Sequence, residues 1–195
     1  LAAVAKDRLL GVCLNDVGPA LSADGLASIM DYVGRRPAAR TLAEVAARMP
    51  QLLRGFGEVP EGRWEAEAAR LYRQGEDGVQ LTYDPELRDS FLAAMKDPSA
   101  TAWPLFDAMA GLPLALIHGA GSDLLSDETA AEMRRRRPEM IYGKVPGRGH
   151  LPWLDEAERV AVVRKSGRPA RSAEASAEKL QSLAALNQII PPHVA

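Results

Sequence analysis

Three short runs of apolar, mostly branched residues constrain the fold of this chain more than any other feature of its sequence. They have the length and composition of buried strands and cover residues 11–14, 112–117 and 140–145. A helix is predicted over 126–137, between the second and third runs, because Ser126 can cap its start and a proline follows its end. A strand, a helix and a strand in this order predict a right-handed parallel crossover, so the sequence indicates an α/β fold.

Polar and glycine residues follow each of the three predicted strands. Asp16 follows the first strand, Asp123 lies in the turn after the second, and His150 follows the third in the stretch Gly-Arg-Gly-His. Because the carboxyl ends of parallel strands meet at one edge of a sheet, we expect these side chains to gather there. A histidine oriented by a carboxylate can transfer protons near neutral pH. Of the other two histidines, we expect His118 to form structural hydrogen bonds and His193 to lie in solvent.

The segment between the first two strands has a different pattern, dominated by helices. Leu26, Ile29, Met30 and Val33 recur at helical spacing, and residues 41–44 form a capping box for a second helix. Pro50 should kink or split that second helix. Further elements are predicted at 64–72 (helix), 79–83 (extended), 87–95 (helix) and 103–109 (helix). The segment 21–110 is therefore predicted to be a helical insertion between two strands of one sheet.

The composition narrows the partners and the compartment. The 195 residues are 47% hydrophobic and carry 26 acidic and 24 basic side chains, which gives no electrostatic reason to expect nucleic acid or an anionic membrane as a partner. No apolar run approaches the roughly 20 residues that span a bilayer. Cys13 lies in an apolar run and predicts a buried thiol in a reducing compartment. We therefore expect a cytoplasmic protein with a small-molecule partner, no metal and no cofactor.

The order and spacing of six segments resemble the C-terminal part of an α/β-hydrolase. These segments are residues 14–19, 25–34, 83–85, 103–106, 119–126 and 147–156. The resemblance covers residues 1–164 and implies an incomplete α/β-hydrolase fold with three late parallel strands and flanking helices. It implies a core formed by 1–20 and 111–164 and a helical lid at 21–110. Residues 165–195 depart from the family pattern and are predicted to form a basic linker and a tail that could be helical.

The resemblance also implies roles for individual residues. Asp123 would be the acid that orients His150 for general acid and base catalysis. Asp16 is the alternative acid, because some relatives place theirs after this strand; its other expected role is to brace the turn. The aromatic side chains expected to line an acyl pocket are Trp103, Phe106 and Trp153.

The nucleophile is missing from this pattern, because no Gly-x-Ser-x-Gly motif occurs in the chain. Residues 1–10 resemble the end of the helix that follows such a motif, so the nucleophile, a serine or an aspartate, is expected just upstream of Leu1. The expected function is cleavage of an ester-like bond in a small, largely apolar substrate, with this chain inactive by itself as a fragment. The alternative is a non-catalytic remnant that binds a ligand or partner. Without its early strands, the sheet is expected to self-associate through an exposed edge.

Overall fold

The computed structural model describes residues 2–95, 101–156 and 162. Its elements, in chain order, are β1 (Val12–Asn15), α1 (Ala23–Met30), α2 (Leu42–Leu52), α3 (Arg63–Leu71), β2 (Tyr72–Gly75), β3 (Gly78–Leu81), α4 (Leu87–Ala94), α5 (Trp103–Asp107), β4 (Leu114–Gly119), α6 (Asp127–Arg136) and β5 (Ile141–Val145). No helix among these described residues is long and apolar enough to cross a bilayer.

The three predicted strands form one parallel sheet in the order β1-β4-β5. Val12 pairs with Leu114 on one side of β4, and Ala115 pairs with Ile141 on the other. Every residue of the central strand β4 is buried, as expected for a strand covered on both faces. The expected α/β class and the parallel strands of a partial α/β-hydrolase fold are confirmed.

The helix between β4 and β5 begins and covers the sheet as its sequence predicts. The Ser126 hydroxyl accepts a hydrogen bond from the Thr129 amide at 3.1 Å and so caps α6. Ala130 and Met133 on α6 belong to a buried cluster with side chains of β4, α5 and the adjoining loops. This cluster holds the helix against the sheet and fixes where the turn before the helix lies.

The segment between β1 and β4 contains a second core of its own. Helices α2 and α3 and the hairpin of β2 and β3 enclose side chains that include Val45, Met49, Ala68 and Tyr72. The extended piece predicted at 79–83 is thus one strand of an antiparallel pair, and its partner β2 was missed. That strand is short and polar, and it continues directly from α3, so its sequence has no apolar alternation to reveal it.

Pro50 does not split α2, contrary to the expectation. The helix runs on to Leu52, and the Leu53 amide still donates to the Met49 carbonyl at 2.8 Å. Pro50 lies in the last turn of the helix, where the amide that it lacks removes one hydrogen bond without interrupting a longer ladder. The capping box is present: the Glu44 amide donates to Thr41 Oγ1 at 3.2 Å.

The prediction of a buried Cys13 thiol is wrong, because Cys13 is exposed. Val12 and Leu14 point into the core cluster, and side chains alternate along a strand, so Cys13 points to the opposite face. Before β1, residues Lys6–Arg8 form one turn of 3-10 helix, and a longer helix is not seen there. The predicted basic linker and tail at 165–195 lie outside the described residues.

Candidate active site

Asp16 occupies the position directly after β1 and is fully buried. Its backbone has a φ of 55°, in the left-handed region that aspartate tolerates better than most residues. The Asp16 amide donates to the Ile117 carbonyl at 2.7 Å, and the Gly119 amide donates to Asp16 Oδ1 at 2.7 Å. These two bonds fix the carboxylate at the carboxyl edge of the sheet, between β1 and β4.

His150 contacts this carboxylate from the loop after β5. The distance from His150 Nδ1 to Asp16 Oδ2 is 2.9 Å, and the histidine side chain keeps 18% of its surface exposed. Because a carboxylate accepts hydrogen bonds, we assign the proton of the neutral imidazole to Nδ1. The other ring nitrogen, Nε2, is then unprotonated and can take a proton from a nucleophile.

Ser122 completes the set of donors around the Asp16 carboxylate. Its hydroxyl donates to Oδ2 at 2.6 Å and accepts from the amides of Leu124 and Leu125 at 3.2 and 3.0 Å. Sequence reasoning passed over Ser122, although a serine in the turn after a strand is a signal that could have identified it. The carboxylate is thus oriented by Gly119, Ser122 and His150 together, so that both of its buried oxygens have hydrogen-bond partners.

Asp123, the first choice for the acid, lies next to His150 without pairing with it. Within the described residues, His150 is hydrogen-bonded to Asp16 and not to Asp123. Asp123 instead lines an open cleft together with Gly25, Ser28, Ile29, Tyr32, Leu52, Leu53, Arg54 and His150. Of the two acids that the sequence offered, geometry therefore pairs the alternative, Asp16, with the histidine.

Three glycines bring the loops of the site into close contact. A Cβ atom on Gly149 would lie 1.9 Å from the Arg54 carbonyl oxygen, and one on Gly121 would lie 2.6 Å from the Gly55 carbonyl oxygen. Both distances are far below van der Waals contact, so only glycine fits. The loop after α2 thereby packs directly on the loop that carries His150.

Trp153 anchors the His150 loop from its other end. Its ring contacts Phe56 and Trp64 at centroid distances of 4.8 and 5.7 Å, and the guanidiniums of Arg63 and Arg148 lie over it at 4.3 and 5.1 Å. Stacked aromatic and cation–π contacts of this kind stabilise a loop in one conformation.

The three aromatic residues predicted for an acyl pocket do not line the cleft beside His150. Phe106 is buried in the core cluster under β4, and Trp103 packs edge-on against it at 5.7 Å. Trp153 belongs to the aromatic and arginine contacts just described. From the helical segment, the cleft is lined by the aliphatic side chains of Ile29, Leu52 and Leu53, by the polar side chains of Ser28 and Arg54, and by one aromatic side chain, that of Tyr32.

His118 has the structural hydrogen bonds expected of it. Its Nε2 lies 3.0 Å from the Leu125 carbonyl oxygen, and its Nδ1 lies 3.0 Å from the Tyr142 hydroxyl. The carbonyl must accept, so Nε2 carries the proton and Nδ1 accepts from Tyr142. Both nitrogens are used in holding β4, β5 and the α6 loop together.

The sequence and the fold of this chain are similar to those of known hydrolases. The chain is 33% identical over 170 residues to a 3-hydroxybutyrate-oligomer hydrolase of Cupriavidus necator, a match that covers 83% of this chain and 58% of that protein. It superposes with a TM-score of 0.74 and 34% identity on the crystal structure of an α/β-hydrolase from Novosphingobium aromaticivorans, covering 85% of this chain and 59% of the other. The chain belongs to the α/β-hydrolase superfamily.

A third similar protein is a solved structure at lower sequence identity. A hydrolase structure from Rickettsia typhi matches with a TM-score of 0.69 at 21% identity over 84% of this chain and 55% of that one, and it supports the fold alone. No family model matches the chain. The chain spans a little under three fifths of the length of the Cupriavidus necator and Novosphingobium aromaticivorans proteins.

Proposed function

We propose that this chain supplies the acid, the histidine and the substrate cleft of an α/β-hydrolase that cleaves an ester-like bond. The observation that carries the proposal is the 2.9 Å contact between His150 Nδ1 and the buried Asp16 carboxylate. In this mechanism, Nε2 of His150 takes the proton of the nucleophile as it attacks the carbonyl carbon. It then returns that proton to the leaving alcohol, while Asp16 stabilises the imidazolium.

The nucleophile is proposed to come from outside these 195 residues. Two hydroxyl groups belong to the residues that line the cleft, those of Ser28 and Tyr32. The Ser28 hydroxyl donates to the Asp24 carbonyl at 3.0 Å within its own helix. Burial, with smaller effects of nearby Tyr83 and Asp123, raises the pKa of Tyr32 to about 12. Neither hydroxyl is therefore activated for attack at neutral pH.

The segment 21–110 is proposed to act as a lid over the cleft. Residues of α1, of α2 and of the loop after it line the cleft together with His150. A second, largely apolar cavity lies between α1, α2 and the start of β2. Its walls suit a short acyl or alkyl group, because apolar cavities of this kind exclude water and favour apolar ligands.

A short hydroxy-acid ester is the substrate to test first. The similar protein from Cupriavidus necator is named for hydrolysis of 3-hydroxybutyrate oligomers, and the apolar side chains that line the second cavity match the methyl groups of such an ester in polarity. No observation in the structure favours the alternative of a non-catalytic binding protein.

The decisive experiment compares the two acids in a complete hydrolase that contains this chain. Asp16→Asn should lower kcat for p-nitrophenyl butyrate by about 10³–10⁴-fold, because the histidine would lose its orienting carboxylate. Asp123→Asn is the matched control and should keep kcat within about tenfold. The reverse order of the two effects would show that Asp123 is the acid. Equal, full activity in both variants would overturn the mechanism.

A further inference from the structure

A guanidinium lies at the cleft without a partner. Arg54 lines the cleft with His150 and is exposed. Within residues 2–95, 101–156 and 162, Arg54 forms no ion pair and donates no side-chain hydrogen bond, whereas Arg63 and Arg148 in the same region each contact a carboxylate. An arginine in a cleft with its donors unused is available to a ligand.

The main chain fixes Arg54 next to the histidine. Its carbonyl oxygen packs against Gly149, the residue before His150, so closely that no side chain fits between them. On the following residue, Gly55, an added Cβ would lie 2.0 Å from the Gly121 carbonyl oxygen. The base of the Arg54 side chain therefore starts beside the loop that carries His150 and cannot shift without moving that loop.

The negative charge in the cleft belongs to Asp123, which acts on Tyr32. Asp123 is the acidic residue among those that line the cleft, and its negative charge acts on Tyr32, where it helps to raise the pKa of the phenol. The lining of the cleft thus includes one negative side chain, Asp123, which acts on Tyr32, and one positive side chain, Arg54, whose backbone packs on Gly149. An anionic ligand would be drawn to the Arg54 side and repelled from the Asp123 side.

The apolar cavity continues from the same cleft. Tyr32, Leu52 and Leu53 line both spaces, and the second space is closed by apolar side chains, among them Val45, Met49 and Leu71. A ligand that places a charged group at Arg54 therefore meets apolar side chains on the α2 side.

We propose that Arg54 binds a carboxylate of the substrate, so that this hydrolase acts on esters carrying both a free carboxylate and a short apolar group. A guanidinium presents paired N–H donors that match the two oxygens of a carboxylate, and such charge-assisted pairs are stronger than neutral hydrogen bonds. The choice of substrate rests on the proposed hydrolase function. The carboxylate site itself is a binding property and requires no bond cleavage.

Binding to the 195-residue chain tests the site without any turnover. The probes are monomethyl glutarate, which has one carboxylate and one methyl ester, and dimethyl glutarate, which is neutral. Isothermal titration calorimetry should show tighter binding of the monomethyl ester. Arg54→Gln should weaken that binding about tenfold, the effect of losing one charge-assisted pair, and should change the affinity for the dimethyl ester less than about twofold.

Two controls separate this site from the catalytic proposal. Arg48→Gln removes an exposed arginine of α2 that is not among the lining residues and should leave both affinities unchanged. His150→Ala should abolish hydrolysis in a complete enzyme yet retain the preference for the monomethyl ester. Equal weakening of both probes by Arg54→Gln, an unchanged affinity in that variant, or no binding of the monomethyl ester to the unaltered chain would each overturn the carboxylate site.

Discussion

The Oδ2 atom of Asp16 accepts hydrogen bonds from both Ser122 Oγ, at 2.6 Å, and His150 Nδ1, at 2.9 Å. The two donors approach the same oxygen from the loops after β4 and β5. The serine therefore fixes the position in which the carboxylate meets the histidine, and it also accepts from two amides of its own turn.

Replacing Ser122 by alanine should destabilise the chain and misalign Asp16. The buried carboxylate would lose one donor and the turn amides would lose their acceptor, so the free energy of unfolding should fall by about 1–3 kcal/mol in a urea titration. Ser28→Ala is the matched control, because that hydroxyl bonds only its own helix, and it should stay within about 0.5 kcal/mol of the parent. Equal stability of the Ser122 variant and the parent would show that the bond contributes nothing.

The 195-residue chain should show no hydrolase turnover by itself. Proton transfer by His150 requires a nucleophile at Nε2, and the two hydroxyls that line the cleft are not activated. The measurement is steady-state release of p-nitrophenol from its butyrate ester by the purified chain. Saturable turnover that disappears in the His150→Ala variant would refute this prediction and would direct the search for the nucleophile to these residues.

The chain should self-associate through β1. This strand lies at the end of the sheet order, and within the described residues it pairs only with β4. Nearby Val4 and Leu10 are 85% and 82% exposed, and the Cys13 side chain is exposed on the strand itself. An unpaired edge beside exposed apolar side chains favours pairing with another chain.

Size-exclusion chromatography with light scattering measures this association directly. The mass should rise above that of a monomer as the concentration increases. The Val12 and Asp16 amides donate toward β4, and amides alternate in direction along a strand, so the Cys13 amide faces the open edge. Cys13→Pro should therefore lower the mass, because proline removes this amide and disfavours strand pairing. A monomer at every concentration would show that the edge is already covered.

Ionisation of Tyr32 should destabilise the chain at alkaline pH. Burial is the main cause that raises the pKa of Tyr32 in the folded chain from 10.0 to about 12, so the unfolded chain loses this proton first. The associated stability is present below pH 10 and declines as the pH rises toward 12. Between pH 8 and pH 11.5 the parent should lose roughly 2 kcal/mol more than Tyr32→Phe, measured by urea titration. Equal losses in the two proteins would contradict the raised pKa.

Alanine at Gly149 should disrupt the loop that carries His150. The added Cβ would lie 1.9 Å from the Arg54 carbonyl oxygen, and backbone on both sides prevents relief, so we expect a loss of roughly 3 kcal/mol in the free energy of unfolding. Gly62→Ala is the control: its φ of 74° carries strain, but no atom lies within 4 Å of the added Cβ. That variant should lose only about 1 kcal/mol. The prediction fails if the Gly62 variant is the less stable of the two.

The strands and the α6 crossover were predictable from sequence because their signals are local. Branched apolar runs, Ser126 at the helix start and a following proline each act over a few residues. The β2–β3 hairpin and the exposure of Cys13 could not be predicted from sequence, because they depend on which strands pair and on which face of the sheet is covered. Those are tertiary properties.

The candidate site, like the fold, could be predicted only in part from the sequence. The three strand ends predict Asp16, Asp123 and His150 at one edge of the sheet. In the structure, His150 is hydrogen-bonded to Asp16, and Asp123 lines the same cleft as His150. The partner of His150 could not be chosen from spacing alone, because both acids follow strands that flank one another. The left-handed backbone at Asp16 and its bonds from Gly119 and Ser122 decide the pairing, and none of these is visible before the loops have folded.

The parallel pairing of β1 with β4 has a consequence for how quickly the chain can fold. Asp16 and Gly119 are hydrogen-bonded across 103 positions of sequence, and Asp16 and His150 across 134. Closing loops of that length costs conformational entropy before any contact compensates for it, and such distant contacts slow folding. The helices and hairpin between the two strands need only short loops. We therefore expect the proton-transfer pair to form in the same slow step as the sheet, after local structure in the intervening segment has become favourable.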